Sequence, residues 1–131
     1  MSRVVPMRRF ARSDAPRRVQ TVDYPSLTHL VEDAQTAGVK QLRLDVFSVH
    51  QPSALSFITY TSLVLYVTGL DVRRRVLYQY KEVCETKPFV ESDLPDEVAV
   101  RRVTKRMEDL ALALQQAGFD TAYGRFVTQD S

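Results

Sequence analysis

The plainest periodicity in the chain lies between Val39 and Cys84. Leu42, Leu44, Val46 and Ser48 alternate with Arg43, Asp45, Phe47 and Val49, the period of two that marks a strand. His50-Gln51-Pro52-Ser53 reads as a turn. Ala54–Thr68 then reads as a second strand, Gly69-Leu70-Asp71 as a tight turn and Val72–Cys84 as a third strand. The pattern predicts an antiparallel meander whose strands, at about 10–15 residues, exceed the usual ~5–6. Strands of that length need strong twist or a bulge.

Helical spacing appears on both sides of the meander. Leu27, Leu30, Val31, Ala34 and Ala37 form one apolar stripe, with Pro25 suited to the first helical position and Gly38 to the left-handed residue that closes a helix. A second helix is expected from about Leu94 to Ala117. Pro95 stands early in its first turn, and Asp96 and Glu97 favour its positive end. Its stripe is Val100, Val103, Met107, Leu110, Leu114 and Ala117, and Gly118 closes it. Phe119–Val127 alternates again as a last strand, and Gly124 inside it marks a bulge. A short strand over Val19–Val22 leads into the body. The expected fold is α+β, a mainly antiparallel sheet (three-stranded meander plus C-terminal strand) backed by two helices, in the order (β)-α-β-β-β-α-β. Residues 19–131 make one domain and residues 1–18 a basic arm, which suits a chain of 131 residues.

Charge divides along the same boundary. Residues 1–20 carry Arg3, Arg8, Arg9, Arg12, Arg17 and Arg18 against Asp14, a local balance of +5. The rest of the chain holds 12 basic and 15 acidic side chains. Residues 82–97 are the acidic counterpart, with Glu82, Glu85, Glu91, Asp93, Asp96 and Glu97 against Lys87, a balance of −5. A second basic cluster, Arg101, Arg102, Lys105 and Arg106, lies on the polar side of the second helix. These residues, with Arg8, Arg9, Arg12, Arg17 and Arg18, are the candidates for anion or partner binding. Arg73, Arg74 and Arg75 could join them. Glu82, Glu85, Glu91 and Asp93 are the candidate acidic counter-surface.

Catalytic chemistry finds little support. His29, His50 and Cys84 have no metal-ligand spacing, and no metal or cofactor is expected. Gly38, Gly69 and Gly118 sit at helix ends and a turn, so no glycine-rich phosphate loop is present. Cys84 has no basic neighbour to favour a thiolate and reads as a packing residue. With one cysteine, no internal disulfide forms, and a reducing, cytoplasmic setting is expected. Ser53–Leu70 lacks charge but is broken by Ser56, Thr59, Thr61, Ser62 and Thr68, so it predicts strand and no membrane association.

One enzymatic reading stands as the alternative. The order α-β-β-β-α-β is similar to the core of the PD-(D/E)xK nuclease superfamily, whose carboxylates and lysine flank a divalent metal. Asp71 with Glu85-Thr86-Lys87, or with Gln79-Tyr80-Lys81, resembles pieces of that motif. Asp71 and Glu85 would lie roughly 45 Å apart along one strand at ~3.3 Å per residue, so Asp45 is the better partner for Lys81. With the turns centred near Pro52 and Leu70, Asp45 would face Thr59 and Thr59 would face Tyr80. Lys81 would then point to the opposite side unless a bulge intervenes. The same register makes both sheet faces substantially apolar and predicts self-association. Tyr60, Tyr66, Tyr78 and Tyr80 are available for base stacking, which keeps nucleic acid beside an acidic protein as the expected partner. The leading expectation is a non-catalytic assembly or binding module whose Arg-rich arm engages an acidic partner.

Overall fold

A computed structural model describes residues 19–52, 59–88 and 97–128. The arm with Arg8, Arg9, Arg12, Arg17 and Arg18 lies outside these residues, as do Glu91 and Asp93. Seven elements follow one another: β1 (Gln20–Tyr24), α1 (Leu27–Thr36), β2 (Gln41–Pro52), β3 (Thr59–Leu70), β4 (Val76–Pro88), α2 (Glu97–Gln116) and β5 (Asp120–Thr128). The fold is α+β, and the strands form one sheet in the order β1-β4-β3-β2-β5. The meander β2-β3-β4 is antiparallel as expected. The sheet as a whole is mixed, however, because β1 runs parallel to β4 and β5 parallel to β2. Each outer strand is joined to the meander through a helix, which returns the chain along the sheet so that the strands on either side of it point the same way.

Both β-α-β connections step across the sheet in the same direction, from β1 to β2 and from β4 to β5. Such crossovers are almost always right-handed, so both helices belong on one face. The core agrees. Leu42, Leu44 and Val46 of β2 and Leu63, Leu65 and Val67 of β3 pack with Leu30 and Ala34 of α1 and with Val103, Met107, Leu110 and Leu114 of α2. Each fully buried leucine among them contributes roughly 1.5–3 kcal/mol of transfer free energy. The α2 stripe also takes in Ala99 and Ala111, while Val100 and Ala117 are half-buried. At the start of α1, Ser26 is the cap, and Pro25 precedes the helix without entering it. Ser26 Oγ accepts from the His29 N–H at 3.2 Å, satisfying a donor that proline could not. Gly38 follows α1 at φ +80°, the left-handed position expected for it.

The hairpin registers differ from expectation. Gly69 and Leu70 belong to β3, and the turn runs over Asp71–Arg75. Asp71 Oδ1 accepts from the backbone N–H groups of Arg75 at 2.6 Å and Val76 at 3.3 Å, so a side chain closes this turn. Arg74 takes the left-handed conformation at φ 58°. Gly69 is required by packing, since a Cβ there would come within 2.6 Å of Leu42 Cδ2. The β2–β3 register shifts separately, because β2 continues through His50, Gln51 and Pro52, where a turn is expected: Asp45 pairs with Tyr66, and the β3–β4 register pairs Tyr66 with Lys81. Asp45, Tyr66 and Lys81 all stand on the sheet face away from the helices.

Three register shifts adjust the sheet. One inserts Cys84 into β4, between the pairs Val64–Val83 and Leu63–Glu85. A second is the expected one at Gly124, where Gly124 and Arg125 of β5 oppose Asp45 of β2, and a third follows between the pairs Val46–Phe126 and Phe47–Thr128. A Cβ at Gly124 would collide with the Asp45 carboxylate and the Arg43 guanidinium. Gly124→Ala should therefore destabilise the fold by about 1–3 kcal/mol in urea denaturation, because it overpacks this bulge. An unchanged midpoint would show that the bulge can open at no cost.

Candidate functional site

The bulge at Cys84 controls the charges beneath α2. Glu82 faces the helices by alternation, and an unbulged strand would turn Glu85 to the other side. The extra residue brings Glu85 back. Glu82 then meets Arg106 through two bonds, Nε–Oε2 at 2.6 Å and Nη2–Oε1 at 3.0 Å. Glu85 meets Arg102 in the same way, at 2.8 Å and 3.1 Å. Two residues of the expected anion-binding set and two of the expected acidic counter-surface are thus joined to each other. Lys105 reaches Asp109 along the helix at 3.1 Å, and Arg101 is exposed.

This clamp sets the local ionisation. Hydrogen bonding from Arg106 holds the Glu82 carboxyl below its ordinary range against the opposing effect of burial, and the Tyr80 hydroxyl adds a bond at 2.7 Å. Burial first, and the Glu82 charge second, push the Cys84 thiol up to about 11. Cys84 is therefore protonated at neutral pH and is no nucleophile.

Among the described residues no helix lies on the opposite face of the sheet. Across its centre run Arg43, Asp45 and Phe47 of β2, Val64, Tyr66 and Thr68 of β3, and Gln79, Lys81 and Val83 of β4. Val64 is buried yet stands apart from the core cluster, as its place on this second face requires. Polar and charged rows interrupt the apolar ones, so this face is less apolar than the expected register made it. Phe47 and Tyr66 meet edge to face with centroids 5.4 Å apart. The Arg125 guanidinium sits over Phe47 at 5.6 Å. Tyr60 and Tyr66 share this face. Tyr78 and Tyr80 lie on the helix side, where Tyr78 stacks on Tyr24 at 6.1 Å.

Asp45 and Lys81 come to the same face, which corrects the expectation that Lys81 points away. Tyr66 stands between them. Asp45 is itself buried and bonded: Arg43 Nε donates to both its oxygens at 3.1 and 3.2 Å, and the Arg125 N–H donates at 2.7 Å. Among the described residues no three His, Cys, Asp or Glu side chains group as metal ligands.

A groove of about 380 Å³ opens at one end of this face, where β2 begins and the β3–β4 turn folds over. Lys40, Arg43 and Arg74 line it, with Thr68, Leu70 and Leu77 as floor and Val72 as wall. Asp71 is the acid in the lining. Burial opposes its ionisation, but the N–H groups of Arg75 and Val76 outweigh burial and hold its carboxyl below the ordinary range. Arg73, Arg74 and Arg75 are all exposed around the turn. β1 also starts here, with the Gln20 N–H donating to the Arg75 carbonyl at 3.2 Å. The strand that follows the Arg-rich arm in sequence thus begins beside the β3–β4 turn. The three consecutive arginines stand out in the sequence, whereas Lys40 and Arg43 are single charges that come to the groove only once the register is set.

Comparison with protein-family models, with curated proteins and with solved structures gave no match. Among the described residues no helix is long and apolar enough to cross a membrane.

A double-mutant cycle on Glu82→Gln and Arg106→Gln should give a coupling of about 1 kcal/mol, since both side chains remain partly exposed. The folded-state pKa of Glu82 is depressed. Its contribution should be complete above the ordinary carboxylate range (~4.3) and disappear as pH falls through the lowered value. Urea midpoints from neutral pH down to strong acid check this. A Glu82→Gln variant with the same acid profile as the parent would contradict it.

Proposed function

We propose that this chain is a non-catalytic binding module for an acidic partner, engaged by the Arg-rich arm together with the cationic end of the sheet. The observation that carries the reading is the pairing of Gln20 with Val76, which starts the strand that follows the arm in sequence beside Arg73, Arg74 and Arg75, with Lys40 and Arg43 two strands further across the sheet. The internal alternative is weaker. Glu82 and Glu85, which could have received the arm, are already paired with Arg106 and Arg102. An arginine-rich segment next to a cationic groove repels itself unless polyanion charge comes from outside. The cluster on α2 contributes less than its sequence implied, because Arg102 and Arg106 serve the clamp.

The nuclease reading retains the shared face of Asp45 and Lys81. It has against it the bonding of both Asp45 oxygens and the absence of a third carboxylate beside them among the described residues. Magnesium-dependent cleavage of DNA by the purified chain would reverse this preference.

Binding of the intact chain to heparin should weaken steeply with salt, as release of counterions requires. Removal of residues 1–18 should lower the affinity and flatten the salt slope. Lys40→Glu with Arg74→Glu should do the same in the full chain. If neither the truncation nor the double variant changes the elution salt, this end of the molecule is not the contact.

A further inference from the structure

Resting on that reading, we infer that the acidic partner is a single-stranded nucleic acid lying on the sheet face away from the two described helices, its phosphates on Arg43, Lys81 and Arg125 and a base stacked on Tyr66. The centre of the face is cationic, since Lys81 and Arg125 are exposed there. Of the acids on this face, Asp45 is buried and paired with Arg43, Asp23 accepts from the Gln79 amide at 2.7 Å, and Asp120 stands at the β5 edge opposite Gln41. Arg43 and Lys81 are exposed on opposite sides of Tyr66, about two strand spacings apart at ~4.8 Å each. Arg125 completes the ring on the β5 side, and the groove with Lys40 and Arg74 extends the cationic track toward the arm.

Three competing occupants fit this surface less well. A second copy docked face to face would set Arg43, Lys81 and Arg125 against their own kind, and rows of like charge across an interface cost several kcal/mol. An acidic peptide would use the cations but leave the aromatic centre without a partner. Duplex DNA admits a helix or a two-stranded ribbon into its major groove, and a flat five-stranded face cannot enter it. Only a single strand offers phosphates and unstacked bases together, and stacking on an aromatic ring tolerates any base. The helix-covered face supplies no such platform, because Tyr78 is stacked on Tyr24 and Tyr80 is bonded to Glu82.

The test is fluorescence anisotropy with a labelled thymidylate dodecamer and the full chain at low salt. A duplex of equal length, polyglutamate and heparin serve as comparisons. Tyr66→Ala should weaken dodecamer binding about tenfold, the effect of losing one stacked base, while Tyr66→Phe should bind as the parent does. Lys81→Glu should weaken it further as salt falls. Polyglutamate and duplex should bind less tightly than the dodecamer. If Tyr66→Ala binds the dodecamer as well as the parent, or if duplex or polyglutamate binds equally, the single-strand assignment fails and the polyanion reading survives. If no polyanion binds, heparin included, both fail. If Lys81→Glu converts a dimer to a monomer by light scattering, the face belongs to a second copy and the inference is overturned.

Discussion

Two helices on one side of a five-stranded sheet are the constraint from which most of this molecule follows. The two crossovers travel in the same sense, and right-handedness then puts both described helices on the same face. Burial is consequently one-sided. Leu42, Leu44, Leu65 and Val67 are fully sequestered on the helix side, whereas the other face must satisfy itself with cross-strand pairs and water. Phe47, Tyr66 and Arg125 do this by stacking on one another, and Ser62 and Thr86 by sharing a hydrogen bond at 3.0 Å.

The same one-sidedness accounts for how charge is distributed. Acids of β4 on the helix side lie under α2 and take its arginines, helped by a bulge that re-aims one of them. On the other side the sheet and its turn supply their own counter-charge, Asp45 pairing with Arg43 and Asp71 with Arg75 at 3.7 Å. Arg73, Arg74, Lys81 and Arg125 are exposed there.

Local signals in the sequence were sufficient for the elements and poor for their arrangement. Both helices announced themselves by stripe and glycine closure, and the α-β-β-β-α-β order and the bulge at Gly124 were legible from spacing. Register was not. The β3–β4 turn is closed by the Asp71 side chain, while Gly69, the residue that looks like a turn, is there to clear Leu42. Extension of β2 through Pro52 moved the partner of Asp45 from Thr59 to Tyr66, the later β3–β4 turn set Lys81 opposite Tyr66, and together these changed which side chains share a face. Strand direction was also hidden, since parallel pairing of β1 and β5 depends on where helices return the chain. The Glu85–Arg102 contact needed both the bulge and the docking of α2, neither of which a linear pattern encodes.

The bulged junction of β2 with β5 has a consequence in time as well as in space. Asp45 bonds to the Arg125 N–H across 80 residues of sequence, while the β2–β3 hairpin closes locally. Such non-local pairing is slow, because the loop must be closed before its contacts can form. During synthesis the meander can assemble while β5 has not yet emerged, and until then β2 is an open edge carrying Leu42, Leu44 and Val46. Asp45, whose Oδ1 ends up capped by the Arg125 N–H of β5, lies in the middle of that edge. An acid waiting there for its last donor also discourages a second chain from pairing with the strand, so the residue that secures the finished sheet guards the unfinished one.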